Sequence, residues 1–415
     1  MSSRCRPGKH GWRRSGRAVA TVARCFVVAA IVSFAACWSS ASSSVVNHYI
    51  FDPEYPVLQG YSYGADRGES NQLSVHSAGG MWVFSDPGAA ITVNGSAPCS
   101  HRSPSQVACA PVEHGEPETA LGVGLRDGDD TADLRVSGRL GLGGGDGNDR
   151  LILIATDYSS VSGDDGDDVI TAGAEDLDRS YGETSIRGDD GDDVLRSLKG
   201  PDSLYGGDGS DLLIGSGGND ELSGDRGRDV LRGGNGNDRL GGDRSYGKPT
   251  QEPDDLRGGP GKDTVSYRGN VRVTLDGRTN DGAPGERDLV RNDVENIEIQ
   301  RGTAVGNGQA NTFHAENGTL IGGAGADVLS QLPPYDVTVL PRTRSSRLFG
   351  GSGADRISTG GSRSTVYGGA GNDRIDTTDS PCREGRPCAR DRVSCGSGRD
   401  KVTADRRDIV ASDCE

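Results

Sequence analysis

GDDGDDVLRSLKGPDSLYGGDGSDLLIGSGGNDELSGDRGRDVLRGGNGNDRL, residues 188–240, repeats every nine residues in three fixed roles. Asp stands at Asp193, Asp202, Asp211, Asp220, Asp229 and Asp238, with Leu two places later from Leu195 to Leu240 and Gly two places earlier from Gly191 to Gly236. A fixed short period means one small unit stacked on itself, and a carboxylate in every unit means that the stack requires cations. A flexible Gly- and Asp-rich linker would hold no such register.

The unit 206–213 shows how the repeat folds. Its glycines permit the positive φ and close backbone approach of a tight turn, while Leu213 has nothing apolar to pack on except its copy in the next unit. About six residues turn and about three form a strand, so two units complete one coil, and turns on one edge stack at roughly the 4.8 Å strand spacing. The period places Asp193, Asp211 and Asp229 on one edge and Asp202, Asp220 and Asp238 on the other. Carboxylates stacked at that spacing repel, and no Lys or Arg pattern in the turns neutralises them. Ca2+ takes about six to eight oxygen ligands in flexible geometry, and a Gly-rich turn adds carbonyls to the Asp oxygens; Mg2+, stricter in geometry and reluctant to shed water, fits less well.

The G-G-x-G-x-D-x-U-x pattern resembles the hemolysin-type calcium-binding, or RTX, nonapeptide repeat family. Good copies occupy 144–152, 206–214, 233–241, 258–266, 322–330, 350–358 and 368–376, and weaker ones begin at Gly163, Gly188, Gly215 and Gly224. The resemblance covers roughly residues 140–400 with interruptions. It implies a parallel β-roll, a calcium-stapled solenoid with ions between successive turns on each edge. The expected metal ligands are Asp149, Asp168, Asp193, Asp202, Asp211, Asp220, Asp229, Asp238, Asp263, Asp327, Asp355 and Asp373, holding several Ca2+ ions.

Breaks in the period carry their own expectations. Asp149 to Asp168 is one residue longer than two units, which predicts a bulge or slip in the first coils, and Asp168 to Asp193 requires an insertion around 175–183. Residues 248–253 read as a surface loop. Ser364 with Val366 keeps the strand position midway between Asp355 and Asp373 without the ligand, and Asp391 and Asp400 continue the register toward the end. Between 266 and 300 the nonapeptide gives way to 271–275 and 294–299, which alternate as half-buried strands do. The stretch 276–288 between them is rich in Gly, Asn and Asp. A hairpin-like excursion with a solvated loop is expected there.

Residues 1–24 hold seven Arg or Lys and no acid, and 25–37 is a mostly apolar run followed by small residues. That is the layout of a signal peptide, too short for a membrane span of about twenty residues. Cleavage is expected after Ala41; lipid anchoring at Cys37 and twin-arginine export through Arg13 and Arg14 are alternatives. Loss of 1–41 takes the formal net charge from −16 to −23, a surface that repels nucleic acid and anionic lipid. Nothing after residue 41 is apolar enough for stable membrane insertion. With 32% apolar and 5% aromatic residues, the chain cannot build an ordinary core over this length, so folding should draw on cation binding.

Beyond the leader, Cys99, Cys109, Cys382, Cys388, Cys395 and Cys414 remain. An even count in an exported chain argues for disulfides, and local spacing favours Cys99 with Cys109, Cys382 with Cys388 and Cys395 with Cys414. Zinc lacks C-x-x-C pairs and neighbouring His. Upstream of the repeats, 63–75, 81–86 and 91–93 read as short strands, and 123–125 and 134–136 lead into the first coil. Gly60-Tyr61-Ser62-Tyr63-Gly64 matches the G-x-S-x-G elbow, but a proline-containing tract precedes it, a turn follows it, and the region is too short for a hydrolase fold. His48, His76, His101, His114 and His314 form no H-E-x-x-H signature. Arg187-Gly188-Asp189 spells a cell-attachment tripeptide, yet Gly188 and Asp189 already open a repeat turn.

The expectation is an all-β, secreted, non-enzymatic calcium-binding protein. It comprises a signal peptide (1–41), an N-terminal β-rich cap (42–140), a parallel β-roll (141–265), a strand/loop insert (266–305), a second roll segment (306–376) and a disulfide-tied C-terminal cap (377–415) that closes the roll without metal. Expected partners are calcium ions and cell-envelope or extracellular polymers. The alternatives are a calcium-dependent adhesin or polysaccharide-binding protein, and a small extracellular hydrolase with a repeat tail.

Overall fold

Leu195, Leu213 and Leu231 lie side by side on parallel strands, and so do Leu204, Leu222 and Leu240. All six are 0% exposed. The period of nine has thus become two faces of a flattened coil, each face stacking the same leucine on itself. The computed structural model describes residues 44–50, 59–68, 70–94, 99–110, 120–155, 158–174, 183–242, 252–331, 345–360, 363–379 and 389–414. Among them the strands fall into sheets of 21 and 13, with the Leu213 row in the smaller and the Leu222 row in the larger. The signal-peptide region, Cys382, Cys388, most of the insertion near 175–183 and most of the loop near 248–253 lie outside the described residues. Parallel pairing resumes beyond each of those last two: Ser159 pairs with Thr184, and Val230 with Asp255.

The extra residue between Asp149 and Asp168 does not bulge a strand. Arg150–Ile154 pairs with Val169–Gly173, and Ser159–Asp165 with its neighbours, in unbroken register. The residue is taken up in the connection after Ile154. A slip within a strand would turn every following side chain to the wrong face, whereas a connection absorbs one residue cheaply.

Within residues 266–305 the two long strands stay in the roll, and a short antiparallel pair, Thr279–Asp281 with Asp288–Val290, lies between them. Thr264–Thr274 pairs in parallel with Asn296–Val305, which pairs in parallel with Thr312–Ala324. The first half of Thr312–Ala324 then pairs with Val328–Gln331 and the second with Ser345–Ser352, so one long strand serves both faces and one turn is lost. Alternation marks a half-buried strand without naming the neighbour it pairs with, and the hairpin that the resemblance implies is confined to the short pair Thr279–Asp281 with Asp288–Val290. The loop between is only partly solvated: Asp276, Arg278, Asn280 and Arg287 are exposed, but Asp281, Glu286 and Asp288 are 1%, 3% and 0% exposed. Asp281 accepts N–H bonds from Thr274 (2.6 Å) and Val290 (3.2 Å), and Asp288 accepts the O–H of Tyr267 (2.9 Å).

At the N-terminal end Gln59–Gly64 and Gln72–Ala78 pair in parallel with Ala120–Asp127 and Thr131–Arg135. Coiling therefore starts upstream of 141, and the stretch 63–75 is two strands on two faces. Antiparallel strands Met81–Ser85, Cys99–Ser103 and Gln106–Cys109 extend the smaller sheet, with Cys99 bonded to Cys109. Trp82 and Phe84 pack against Tyr61, 6.0 and 6.3 Å between ring centres, filling the end of the leucine stack with larger rings. At the other end Arg392–Ser397, Lys401–Thr403 and Ile409–Val410 continue the parallel rows, tied by Cys395 to Cys414. Among the described residues no helix is long and apolar enough to cross a membrane.

Candidate metal centres

At the end of each turn the sixth residue of the nonapeptide holds its carboxylate against the neighbouring coil, where Oδ1 accepts the backbone N–H of the equivalent residue one coil earlier. One row runs through Asp130, Asp149, Asp168, Asp193, Asp211, Asp229, Asp254 and Asp288, at 2.7–3.0 Å. The second runs through Asp202, Asp220, Asp238 and Asp263 at 2.8–2.9 Å. It passes to Glu295 Oε2 at 2.9 Å, then resumes through Asn311, Asp327, Asp355, Asp373 and Asp400 at 2.8–2.9 Å. Every Asp expected from the sequence as a ligand falls in one of these rows, and each of those is no more than 2% exposed.

The second carboxylate oxygen is the chemically unusual one. In Asp149, Asp168, Asp193, Asp211, Asp220 and Asp263, among others, Oδ2 is buried and meets no hydrogen-bond donor. It faces oxygen instead. A Cβ built on Gly188 would overlap Asp193 Oδ2 and stand 2.7 Å from the Gly206 carbonyl of the next coil; at Gly206 the pair is Asp211 Oδ2 and the Gly224 carbonyl, 2.6 Å away. Where a unit opens with glycine, that glycine leaves a small cradle lined by a carboxylate and a carbonyl from successive coils; before Asp202 the position is Ser197, whose hydroxyl donates to the Gly215 carbonyl (2.6 Å). A buried anionic oxygen without a donor costs several kcal/mol. Neighbouring carboxylates in a row add on the order of 3 kcal/mol per pair at an effective dielectric of about 20. An all-oxygen donor set with no nitrogen or sulfur fits a hard divalent cation, and the tolerant geometry of calcium fits it best.

The family model of the RTX calcium-binding nonapeptide repeat, four copies long, matches residues 159–176, 187–222, 214–245, 315–330 and 349–379. The chain carries RTX calcium-binding repeats. RTX repeats bind Ca2+ at several sites, so this is a calcium-binding repeat protein built as an all-β roll. Among curated proteins none matches the chain. The carboxylate rows run past the matched RTX segments, to Asp130 and Asp149 upstream, to Asp263 and Asp288 in the middle and to Asp400 near the end.

Some members of these rows were legible in the sequence and others were not. Asp130 ends the run Asp127-Gly128-Asp129-Asp130, as far before Asp149 as Asp149 is before Asp168; Asp254 follows Asp229 at the spacing that separates Asp168 from Asp193. Both signals stood in the spacing. Asp288 and Glu295 follow no nonapeptide, and only the fold places them; Asn311 is sixth in the degenerate unit Gly306-Asn307-Gly308-Gln309-Ala310-Asn311-Thr312-Phe313, with Asn in place of Asp. Asp400 was read as part of a closure without metal. Its Oδ1 instead accepts the Asp373 N–H and its Oδ2 is buried without a donor, because the parallel strands that carry the row do not stop at 376.

Burial drives the RTX carboxyls upward in pKa. It raises Asp149, Asp168, Asp193, Asp211 and Asp263 to about 7 and Asp220 to about 8; the backbone N–H bond opposes the rise and neighbouring carboxylates reinforce it. Without metal, the folded roll binds more protons than the unfolded chain, whose Asp residues titrate near 3.9. That contribution to stability is complete below about pH 4 and is lost as pH rises through about 7 to 8. In chelator, β structure should therefore be greater at about pH 5 than at about pH 8, as protons partly replace the cation. A circular dichroism signal that is flat across that range, or grows with pH, would contradict the buried carboxylate rows.

Proposed function

We propose that this RTX-repeat protein is exported and works outside the cell as a non-enzymatic structural protein, surface- or matrix-associated, that folds when calcium fills its two carboxylate rows. The ligands are the twelve Asp residues from Asp149 to Asp373 named from the repeat; Oδ2 of Asp149, Asp168, Asp193, Asp211, Asp220, Asp327 and Asp355 lies beside a glycine carbonyl of the next coil, that of Asp263 beside the Asp293 carbonyl and that of Asp373 beside the Cys395 carbonyl. That juxtaposition carries the reading: two acceptors share a cradle in which a Cβ would not fit. The bound ion neutralises the row and cross-links successive coils. The basic, then apolar, start of the chain supports export, and an extracellular location supplies calcium to sites of modest affinity. Absence of catalysis is supported by the setting of Ser62. It stands in extended strand Gln59–Gly64, paired with Ala120–Asp127 between buried Tyr61 and Tyr63, and not on a strand-to-helix turn.

The test compares two positions of the carboxylate rows. Asp211 accepts an N–H from Asp193 and donates its own to Asp229, so it stands inside its row. Asp400 ends its row, is 7% exposed, and accepts only from Asp373 among the described residues. Asp211→Ala should raise the calcium concentration at half-folding by roughly tenfold more than Asp400→Ala. Equal midpoints would contradict the assignment of ligands by row.

A further inference from the structure

On the last coils the larger sheet presents a face unlike the rest of this acidic chain. Strands Ser345–Ser352, Arg363–Ala370 and Arg392–Ser397 lie in parallel register. Ser346, Leu348, Ser364, Val366, Val393 and Cys395 point inward, so the alternate residues point out. Two columns then run along the roll axis: Arg347, Thr365 and Arg392, and beside it Phe349, Tyr367 and Ser394. Arg363 stands at the edge of the same face. Arg347, Arg363 and Arg392 are exposed, and none pairs with an acid among the described residues. Tyr367 is 44% exposed and stacks flat on Phe349, 4.9 Å between ring centres and 5° between planes. These outward positions include no Asp or Glu. Asp413, at the C-terminal border, accepts from Ser394 Oγ and the Gly396 N–H.

We infer that this face binds an acidic polysaccharide, carboxylated or sulfated, laid along the roll axis. The inference rests on the extracellular, calcium-folded reading and names its partner. Guanidinium groups match carboxylate and sulfate in bidentate geometry, and the exposed side of Tyr367, whose other face is covered by Phe349, offers an apolar surface to the C–H groups of a sugar. Both columns step at roughly the 4.8 Å strand spacing, so a linear polymer meets a cation or a ring at each strand it crosses. The chain's formal net charge of −16 disfavours a polyanion as dense as nucleic acid; a sugar polymer with fewer charges and apolar sugar faces uses both columns. Asp355, Asp373 and Asp400 lie in the carboxylate row of these coils. Filling that row with calcium leaves the arginines as the dominant charges of the face.

The test uses the full exported chain in excess calcium, with folding checked by circular dichroism, and affinity electrophoresis through gels containing a sparsely sulfated dextran, a polyuronate or unsubstituted dextran. Retention by the two acidic polymers and not by dextran is expected. Arg347→Ala with Arg392→Ala, and separately Tyr367→Ala, should each weaken retention by about tenfold. The control is the other basic column of these coils, Arg356, Arg374 and Lys401, which is in register on the opposite face, lacks aromatic residues and has Asp376 beside it. Arg374→Ala with Lys401→Ala should change retention by less than about twofold. An equal loss in that control would reduce the effect to general charge, and equal or tighter binding of single-stranded DNA would assign the face to nucleic acid; either overturns the proposal. A folded chain with no retention overturns this face alone. A chain that gains no β structure in calcium overturns the reading beneath it as well.

Discussion

In excess chelator at about pH 7.5 the chain should lose most of its β structure and recover it cooperatively on addition of calcium. The roll has little else to hold it. Its core along the repeats is two facing rows of leucines, between Leu195 and Leu240, flanked on both edges by rows of buried carboxylates whose Oδ2 atoms lack donors. Each coil adds two leucines to the stack, which contribute roughly 2–3 kcal/mol apiece. It also adds two buried anions whose desolvation and mutual repulsion cost at least as much without a counter-ion. Calcium removes the opposing cost and leaves the leucine stacking in surplus, so the coils should form together. Circular dichroism before and after calcium addition measures this. Equal β content in chelator and in calcium would refute the coupling of folding to the metal.

The second large effect is expected from a single methyl group. Gly206→Ala places a carbon where Asp211 Oδ2 already lies and 2.6 Å from the Gly224 carbonyl. Its backbone φ is not in the left-handed region, so alanine is conformationally allowed there. The damage comes from filling the cradle. Displacing the carboxylate removes a ligand, and overpacking adds about 1–3 kcal/mol. Gly200→Ala is the opposite case: φ is +97°, but nothing lies within 4 Å of the new carbon, so the cost is a turn strain of about 1–2 kcal/mol. In calcium titrations followed by circular dichroism, Gly206→Ala should raise the midpoint by about tenfold or more and Gly200→Ala by clearly less. Equal shifts would mean that turn strain, and not occupation of the cradle, governs both positions.

The nine-residue period by itself determined the coil, the pairing of Leu213 with Leu195 and Leu231, the two edges, and the membership of each Asp row from Asp193 to Asp238, because a strict period leaves one way to stack identical units. Local cysteine spacing favoured Cys99 with Cys109 and Cys395 with Cys414 without excluding other pairings, and the structure forms both. Where the period failed, only the tertiary structure decided. Alternation in 271–275 and 294–299 shows which residues are half-buried, but pairing is a relation between distant strands, and it set those residues in parallel as long strands of the roll itself. The carboxylates of Asp281 and Asp288 read as solvated because their burial comes from Tyr267 and from strands distant in the chain. The same holds for the cradle: the sequence supplies the glycine and the Asp of one unit, but its second oxygen is the carbonyl of the next coil, which exists as a neighbour only once the coil has closed.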